Sequence, residues 1–332
     1  MKPKRICFFR LNNHIGDVLV TSFFIRELKK RFVNDKLTVV ATSPIDQLYQ
    51  NNPYIDDLLC LPPICYLKTS NMNAKTPLIL NSKVLWGLFQ ILLEIRKRHY
   101  DLIITDAIIP TWRNRLYFKL CGAKQTILPI LDNTTFRQHI SVFYKEVLVK
   151  LGVKDVNCSY EIYISPQAQE EANKFLRTNS LTNNLVIFNP LASIEARSMS
   201  NCQIELILDS ITRLYPNLPV VLLDYKQQYQ QFAKKAILCH LDIESVAALF
   251  KQAMGIITVD TSTVHLADVF QKPMLSIYAH NRYSFPNNIY IFGSTNPKTI
   301  FLQSHDKVAD IPLNLLEEKL QQFLDGLPGG KK

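Results

Sequence analysis

The sequence predicts an α/β protein of two domains, each built on a parallel sheet that helices cover on both faces. Short apolar or β-branched runs alternate with segments of helical periodicity in both halves of the chain, a pattern typical of parallel sheets. The length of 332 residues and the hydrophobic content of 47% are ample for two buried cores. A polar, irregular stretch at 153–183 separates the halves, which places the domains at 1–160 and 161–332.

The first half is predicted to begin with a strand and a helix whose apolar face carries Thr21, Ile25, Leu28 and Phe32. Gly152 is expected to end the last helix of this half. We predict strands at 6–10, 37–41, 57–61 and 101–107, and helices at 16–33, 44–52, 82–99, 112–121 and 135–151.

The second half repeats the alternation, and the segment before it carries a short helix of its own. The last helix is a candidate to pack back on the first domain. Ligands in such folds bind outside the carboxyl ends of the strands, which places the expected site in a cleft between the domains. We predict strands at 184–190, 218–224, 255–260 and 273–279, and helices at 202–215, 226–236, 243–253, 262–271 and 312–325.

Composition narrows the class of partner. The net charge of +10 favours anionic partners such as phosphates, an acidic glycolipid, a membrane surface or nucleic acid, although it also serves solubility. Seven cysteines without a CxxC pair favour a reducing cytoplasm over disulfides or zinc. The apolar stretch at 84–93 is too short to span a bilayer, and the apolar run before Arg10 is too short for a signal peptide.

Familiar nucleotide motifs are missing from the sequence. It contains no GxGxxG, P-loop or HExxH pattern, so dinucleotide redox chemistry and P-loop NTP hydrolysis have no support. A nucleic-acid binder would show cations clustered on one helix or an aromatic stacking surface, and neither stands out. The informative segments are therefore the polar ones that follow predicted strands.

The first such segment, at 10–17, joins a strand to a helix. Gly16 lets the backbone approach a ligand closely, and Asp17 follows in the first helical turn. Asp17 is either a functional carboxylate at the cleft or only a favourable charge at the positive end of the helix dipole.

The second segment, at 255–265, ends a strand in Asp260 and opens a helix with the hydroxyl residues 261–263. Free backbone N–H groups at a helix start form an anion site suited to a diphosphate, although Asp260 or a hydroxyl could simply cap the helix. His265 lies one turn further on, on the side of the expected cleft, and is either a ligand contact or a structural histidine.

Two weaker features are basic. Arg197 lies in a loop after the strand at 184–190, where a guanidinium could clamp phosphate oxygens. Cations in the first half could bind an acidic acceptor or could be solvated helix faces. These are Arg113, Arg115, Lys119, Arg137 and His139.

Five segments in chain order give the sequence a family resemblance, and together they cover nearly its whole length. The sequence resembles the ADP-heptose:lipopolysaccharide heptosyltransferases, glycosyltransferase family nine. The segments are IGDVLVTSFFIRELKKRFVND (15–35), NNPYIDDLLCLP (51–62), IRKRHYDLIITDA (95–107), FRQHISVFYKEVLVKLGV (136–153) and AMGIITVDTSTVHLADVFQKPMLSIY (253–278).

The sequence departs from the family pattern near the expected donor. Ser262 stands where the family usually has Gly, and Arg197 stands where many members have Lys. Residues 198–200 replace the usual aromatic-Pro, and the segment at 224–232 lacks a Gly-acidic pattern common near the donor nucleoside. A family-related transferase that uses another nucleotide sugar or another glycan acceptor therefore remains an alternative, as does an inactive sugar-nucleotide or glycan-binding protein.

The resemblance implies a GT-B fold, with two Rossmann-like domains whose parallel sheets face each other across a cleft. It implies an ADP-heptose donor, inversion at the anomeric carbon, and no metal or other cofactor. It also implies a lipid A-linked Kdo or heptose acceptor, reached from the cytoplasmic side as a peripheral protein of the inner membrane. Nucleic acid is not an expected partner.

Site roles follow from the same resemblance, and Asp17 is the implied general base. Because the nucleoside diphosphate leaves as a stable anion, one base is enough and no general acid is needed. The donor-binding candidates are Arg197, Ser193, Asp260, Thr261, Ser262, Thr263 and His265. The acceptor-binding candidates are Asn13, Arg113, Arg115, Arg137 and His139.

Overall fold

The chain forms two compact units, Met1–Tyr163 and Ile164–Lys332. The computed structural model describes residues 4–10, 14–42, 45–61, 82–106, 112–129, 138–280 and 288–328. Each unit contains one sheet in which every paired strand is parallel, as the alternation of strands and helices predicts.

The sheet of the first unit has five strands in the order β3-β2-β1-β4-β5. Its central strand is buried on both faces, with Ile6 and Phe9 at most 1% exposed, which explains why this strand is continuously apolar. The strands are β1 (Arg5–Phe9), β2 (Lys36–Thr42), β3 (Asp57–Leu61), β4 (Leu102–Thr105) and β5 (Gln125–Ile127), and the helices are α1 (Ile15–Val20), α2 (Ser22–Arg31), α3 (Ser82–Arg98), α4 (Trp112–Leu120) and α5 (Ile140–Lys150).

Three features of this unit differ from the sequence prediction. The helix expected at 16–33 is two helices, because Thr21 donates its hydroxyl to the carbonyl of Asp17 at 2.8 Å and its backbone departs from helical geometry. The short helix expected at 44–52 is a 3₁₀ turn at Ile45–Tyr49. The three-residue strand β5 was not predicted, whereas Gly152 does end α5, with φ +80°.

The sheet of the second unit has six strands in the order β11-β10-β9-β6-β7-β8. Its strands are β6 (Val186–Asn189), β7 (Val220–Leu223), β8 (Ile237–Cys239), β9 (Gly255–Val259), β10 (Met274–Tyr278) and β11 (Thr299–Gln303). Its helices are α6 (Pro166–Thr178), α7 (Asn201–Leu214), α8 (Ile243–Gln252), α9 (Ser262–Val269), α10 (Asn288–Phe292) and α11 (Leu313–Asp325).

Helix termini in this unit follow the sequence closely. Ser165 caps α6 through the N–H of Ala168, and Pro166 occupies the first helical position. Ser200 and Gln203 form a reciprocal capping box at the start of α7. Because α6 belongs to the second unit and packs on α8, much of the predicted linker is part of a folded domain.

The helix predicted at 226–236 is wrong: the segment contains turns and a 3₁₀ turn at Gln230–Phe232. The carboxylate of Asp224 accepts the N–H groups of Gln228 and Tyr229 at 2.8 and 3.2 Å, and these bonds replace helical ones. The elements β8, α10 and β11 were not predicted.

The C-terminal helix α11 packs within the second unit, against α7, β10 and β11. Leu316, Leu320 and Leu324 are fully buried in the core of that unit. A Cβ at Gly255 would lie 2.5 Å from Leu327 and 2.7 Å from Phe323. The side chains of these two residues therefore pack closely against strand β9. The expectation that this helix packs back on the first domain stays a prediction.

Within the described residues, no helix combines the length and the apolar character that crossing a bilayer requires.

Candidate functional site

The first polar cluster lies at the carboxyl edge of the five-stranded sheet. Arg10 follows β1 and Asp106 follows the neighbouring β4, and both backbones continue the sheet pairing for one more residue. The N–H of Arg10 donates to Val40 at 2.8 Å, and the N–H of Asp106 donates to Phe9 at 2.9 Å. Parallel pairing thus brings together two side chains that lie far apart in the sequence.

Arg10 forms ion pairs with two carboxylates in this cluster. Its Nη1 donates a hydrogen bond to Asp106, and its Nη2 lies 3.0 Å from Oδ2 of Asp17. The contact with Asp17 is an ion pair, and Nη2 makes no hydrogen bond to any residue that the structure describes. Asp17 stands in the first turn of α1, which begins at Ile15.

The two carboxylates differ in the exposed fraction of their side chains. The side chains of Arg10 and Asp106 are each 1% exposed, whereas that of Asp17 is 26% exposed. One cation and two carboxylates leave the ionised cluster with a charge of −1, and Asp17 is the carboxylate that solvent can reach. A substrate hydroxyl can therefore approach Asp17 while Arg10 and Asp106 stay sealed beneath it.

The charge on Arg10 is fixed. Burial alone lowers the pKa of Arg10, but the carboxylates of Asp106 and Asp17 outweigh that effect and raise the pKa above its ordinary value. Burial also raises the pKa of neighbouring Tyr49 to about 12, so this phenol stays neutral at physiological pH. Asp17 consequently lies beside a permanent cation.

The second polar cluster lies at the carboxyl edge of the six-stranded sheet, where β6 and β9 are neighbours. Asn189 ends β6, and its amide nitrogen lies 2.9 Å from Oγ1 of Thr261 and 3.1 Å from Oγ1 of Thr263. The two hydroxyl oxygens are 2.6 Å apart. The amide therefore ties the loop after β9 to the strand beside it.

Helix α9 begins at this loop with Ser262. Its N-cap residue, Thr261, makes no side-chain capping bond, so the backbone N–H groups of the first turn lack the hydroxyl acceptor that usually satisfies one of them. Such a helix start combines uncapped backbone donors with the positive end of the helix dipole, an arrangement that suits a phosphate.

Arg197 and Asp260 meet beside the start of α9. Their Nη1 and Oδ2 atoms are 3.2 Å apart, and Asn288 donates to the same oxygen at 2.7 Å. Arg197 Nη2 also donates to Ser193 at 3.1 Å. The Nε of Arg197 is buried and makes no hydrogen bond within the described residues, so this guanidinium has donor capacity that a bound anion could satisfy.

Two further side chains surround Asp260. Burial, followed by the nearby charge of Asp260, raises the pKa of Tyr278 above its ordinary value, so this phenol stays neutral. His265 is only 7% exposed, although the sequence placed it on the open side of the helix. Its burial favours a role in shaping the loop.

The structure thus brings the predicted donor-binding residues of the second unit together, with Arg197 contacting Ser193 and Asp260, and Thr261 contacting Thr263. The described acceptor-binding candidates lie on different elements and are not seen in contact with one another. Arg115 is exposed on α4, and His139 serves as the N-cap of α5, accepting from the N–H of Ser141 at 3.2 Å. Residues 13 and 137, and the side chain at 113, lie outside the described parts of the chain.

Sequence reasoning missed four residues that organise these clusters: Arg10, Asp106, Asn189 and Asn288. Arg10, Asp106 and Asn189 share one signal, because each ends or directly follows a buried strand. Asn288 carried no signal of this kind. Within the described ranges, no group of three or more His, Cys, Asp or Glu side chains is arranged to hold a metal ion.

Known proteins resemble this chain both in sequence and in structure. The family model described as glycosyltransferase family 9 (heptosyltransferase) matches residues 223–307, which include the loop at Asp260 and helix α9. The Escherichia coli K12 protein named "Putative lipopolysaccharide heptosyltransferase 4" is 20% identical over 94% of this chain and 85% of its own length.

Solved structures share the fold. A glycosyltransferase family 9 structure from Veillonella parvula superposes with a TM-score of 0.76 at 20% identity, covering 97% of this chain and 98% of that one. The E. coli heptosyltransferase WaaC, solved with ADP, superposes with a TM-score of 0.66 at 14% identity, covering 96% and 99%. Each unit is a parallel-sheet α/β domain, and the chain shares the GT-B fold of these structures.

Proposed function

We place the chain in glycosyltransferase family 9, the heptosyltransferases, and from that premise we propose that it transfers a heptose from ADP-heptose to the inner core of lipopolysaccharide. The proposed acceptor is a lipid A-linked Kdo or heptose. The proposed reaction inverts the anomeric carbon and uses no metal. The E. coli relatives named above support this class of substrate.

One observation carries the proposal: each unit presents, at the carboxyl edge of its own sheet, one half of what such a transfer needs. The first unit offers a partly exposed carboxylate, Asp17, beside a fixed cation. The second offers an uncapped helix start at Ser262 with Arg197 next to it. A base and a diphosphate site are the two elements that transfer from a sugar diphosphate requires.

Asp17 is the proposed general base. It takes the proton of the acceptor hydroxyl as that oxygen attacks the anomeric carbon of the donor. Because Oδ2 faces Arg10, Oδ1 is the oxygen proposed to accept this proton. The buried guanidinium keeps the carboxylate oriented throughout, and a positioned base of this kind typically contributes about 10²–10⁴-fold to the rate.

The leaving diphosphate is stabilised in the second unit. As the glycosidic C–O bond breaks, the charge that develops on the diphosphate is met by the first-turn N–H groups of α9 and by Arg197. Asp260 keeps Arg197 in place, and Asn189 keeps Thr261 and Thr263 in place. Ser193, Ser262 and His265 are proposed to contact the donor or shape its loop.

The proposal is tested with a donor panel of ADP-heptose, UDP-sugars and GDP-sugars, offered with Kdo-lipid A and with heptosylated acceptors. Mass spectrometry identifies the product, and NMR of the new linkage reports inversion or retention. We expect transfer from ADP-heptose only, undiminished by EDTA. Transfer from a UDP- or GDP-sugar would replace the proposed donor, and ADP binding without transfer would indicate a binding protein.

A further inference from the structure

Helix α10 is joined at both of its ends to the segment that runs from β9 through α9. At its start, the amide nitrogen of Asn288 donates to Oδ2 of Asp260 at 2.7 Å. Just after its end, the hydroxyl of Ser294 and the N–H of Thr295 donate to the two carboxylate oxygens of Asp268. Asp260 directly follows β9, and Asp268 belongs to α9. The α10 segment, residues 288–295, therefore bridges two carboxylates of one strand–helix segment.

The contacts at both ends of α10 are shielded from solvent. Asn288 is 6% exposed, Asp260 is 9% exposed and Asp268 is 2% exposed. Hydrogen bonds to a carboxylate are strong in such surroundings, because water competes little for either partner. Asn296 adds a further contact beyond the end of α9, where its amide donates to the carbonyl of Lys272 at 2.8 Å. The position of α10 beside α9 is therefore well defined.

The contact at Asp260 affects the donor-binding candidates, because Asn288 and Arg197 share one oxygen of this carboxylate. Arg197 Nη1 lies 3.2 Å from Oδ2 of Asp260, and Arg197 Nη2 donates to Ser193 at 3.1 Å. Asn288 makes the shorter of the two contacts with Oδ2. Rotation of the Asp260 side chain would move the partner of the guanidinium, and the amide of Asn288 opposes that rotation. The orientation of Arg197 therefore depends on Asn288.

Burial assigns different roles to Asn288 and Arg197. Asn288 is buried and its amide is directed at Asp260, so it acts on a ligand only through that carboxylate. The side chain of Arg197 is 18% exposed, and its Nε makes no hydrogen bond with any residue that the structure describes. Arg197 is thus the group that can contact a bound anion, and Asn288 is a group that holds it in place.

We propose that Asn288 is a positioning residue of the donor site, which acts through Asp260 on Arg197 and is itself held by the α10 segment. The guanidinium is then restricted before the diphosphate arrives, so less conformational entropy is lost when the diphosphate binds. The inference rests on the proposed function for the identity of the ligand, a nucleoside diphosphate. The order of Arg197 can nevertheless be measured without any ligand.

The first measurement is NMR relaxation of the ligand-free, full-length protein labelled with ¹⁵N-arginine. Arg197→Lys identifies the Nε–H signal of Arg197, because that signal disappears in this variant. In Asn288→Ala we expect the order parameter of the Nε–H group to fall from about 0.85 to about 0.6 or below, since Asp260 is no longer held. Ser294→Ala removes a hydrogen bond at the other end of α10 and should lower the order parameter less. Circular dichroism verifies folding, and Ser294→Ala carries the test if Asn288→Ala does not fold.

The second measurement is calorimetric titration with ADP. Asn288→Ala should raise the Kd about 3- to 10-fold, the range that one hydrogen bond contributes. In an Arg197→Ala background the same change should alter the Kd less than about twofold, whereas a merely structural role would weaken binding in both backgrounds. Asn179→Ala is the matched control, since the amide of Asn179 donates to the carbonyl of Phe175 at 2.8 Å at the end of α6. Its order parameter for Arg197 and its Kd for ADP should equal those of the wild type.

The two measurements separate failure of this inference from failure of the proposed function. Unchanged order of Arg197 in Asn288→Ala would overturn the inference, whatever the affinity for ADP. Equal losses of ADP affinity in the two backgrounds would also overturn it, because Asn288 would then act without Arg197. If the wild type bound no ADP while Arg197 still became mobile in Asn288→Ala, the proposed donor would be wrong and the positioning of Arg197 by Asn288 would stand.

Discussion

Arg10 Nη2 lies 3.0 Å from Oδ2 of Asp17, and the same guanidinium also binds Asp106. The two carboxylates differ in what surrounds them: Asp106 is sealed, while Asp17 is partly open to solvent. One arginine thus pairs with a buried carboxylate and with a carboxylate that solvent can reach. We therefore expect substitution of Asp106 to lower mainly the stability, and substitution of Asp17 to lower mainly the activity.

Replacing Asp17 by Asn removes the proposed base while keeping the shape of the side chain. We expect kcat for heptose transfer to fall by about 10²–10⁴-fold, with the Kd for ADP changed less than twofold, because the proposed diphosphate site belongs to the second unit. Single-turnover transfer and calorimetric titration with ADP measure the two quantities.

Glu146→Gln is the control, since Glu146 is an exposed carboxylate on α5 of the same unit and has no proposed role. Its kcat should equal that of the wild type. If Asp17→Asn lost transfer and ADP affinity in equal measure, Asp17 would have a structural role and the assignment as base would be wrong.

Replacing Asp106 by Asn should mainly affect stability. The change leaves the buried Arg10 with one of its two anionic partners, and removing one member of a buried ion pair typically costs about 3–5 kcal/mol of the free energy of unfolding. Urea denaturation monitored by tryptophan emission reports this unit, because both tryptophans belong to it.

The comparison with Asp17→Asn makes this prediction specific. Asp17 is partly solvated and its contact with Arg10 is not a hydrogen bond, so its replacement should change the free energy of unfolding by less than about 1 kcal/mol. Equal destabilisation by the two variants would contradict the division of roles.

A double-mutant cycle tests whether Asp260 acts on the donor through Arg197. Arg197→Ala should raise the Kd for ADP about 10- to 100-fold, the loss expected for a charge-assisted hydrogen bond. Asp260→Ala should raise it less, and the double variant should resemble Arg197→Ala alone, since Asp260 has nothing left to orient.

Binding of ADP to each variant is measured by calorimetry, with Arg213→Ala as the control because Arg213 is an exposed cation of α7 that pairs with Glu317. Additive losses in the double variant would mean that Asp260 contacts the nucleotide independently of Arg197. No loss in Arg197→Ala would remove this arginine from the donor site.

The sequence predicted the central strands because burial on both faces leaves a continuous apolar run, as in β1, β9 and β10. It did not predict the edge strands β5 and β8, which have three residues each and are only partly buried. The helix predicted at 226–236 has helix-favouring residues, but Asp224 captures two of its N–H groups, and this local competition overrides propensity.

The candidate site was predictable only in part, for a related reason. Asp17 and Asp260 stand in local strand-to-helix motifs, so neighbouring residues indicate them. The contact between Arg10 and Asp106 joins positions 96 residues apart, and it exists because β1 pairs with β4. The same holds for Asn189 and Thr261, which β6 and β9 bring together. Strand order, which periodicity does not reveal, decides such contacts.

Asp268 should make the stability of the second unit depend on pH. It lies at the end of α9, is 2% exposed, and accepts hydrogen bonds from the hydroxyl of Ser294 and from the N–H of Thr295. Burial raises the pKa of its carboxyl to about 6, against an ordinary value of 3.8, although these hydrogen bonds oppose the rise.

Between these two values the folded state binds a proton that the unfolded state releases. The contribution of Asp268 to the free energy of unfolding therefore increases as the pH falls from 7 to 4, by about 2 kcal/mol for a shift of this size. Asp268→Asn cannot titrate, so the wild type should gain stability relative to this variant over the same range.

Urea denaturation followed by circular dichroism at pH 4.5, 5.5 and 7 measures the difference, in which the titration of all other groups cancels. Asp209→Asn, at an exposed carboxylate of α7, should show a much flatter difference. Parallel pH profiles for the wild type and Asp268→Asn would mean that Asp268 stays ionised in the folded protein, with its hydrogen bonds from Ser294 and Thr295 offsetting the cost of burial.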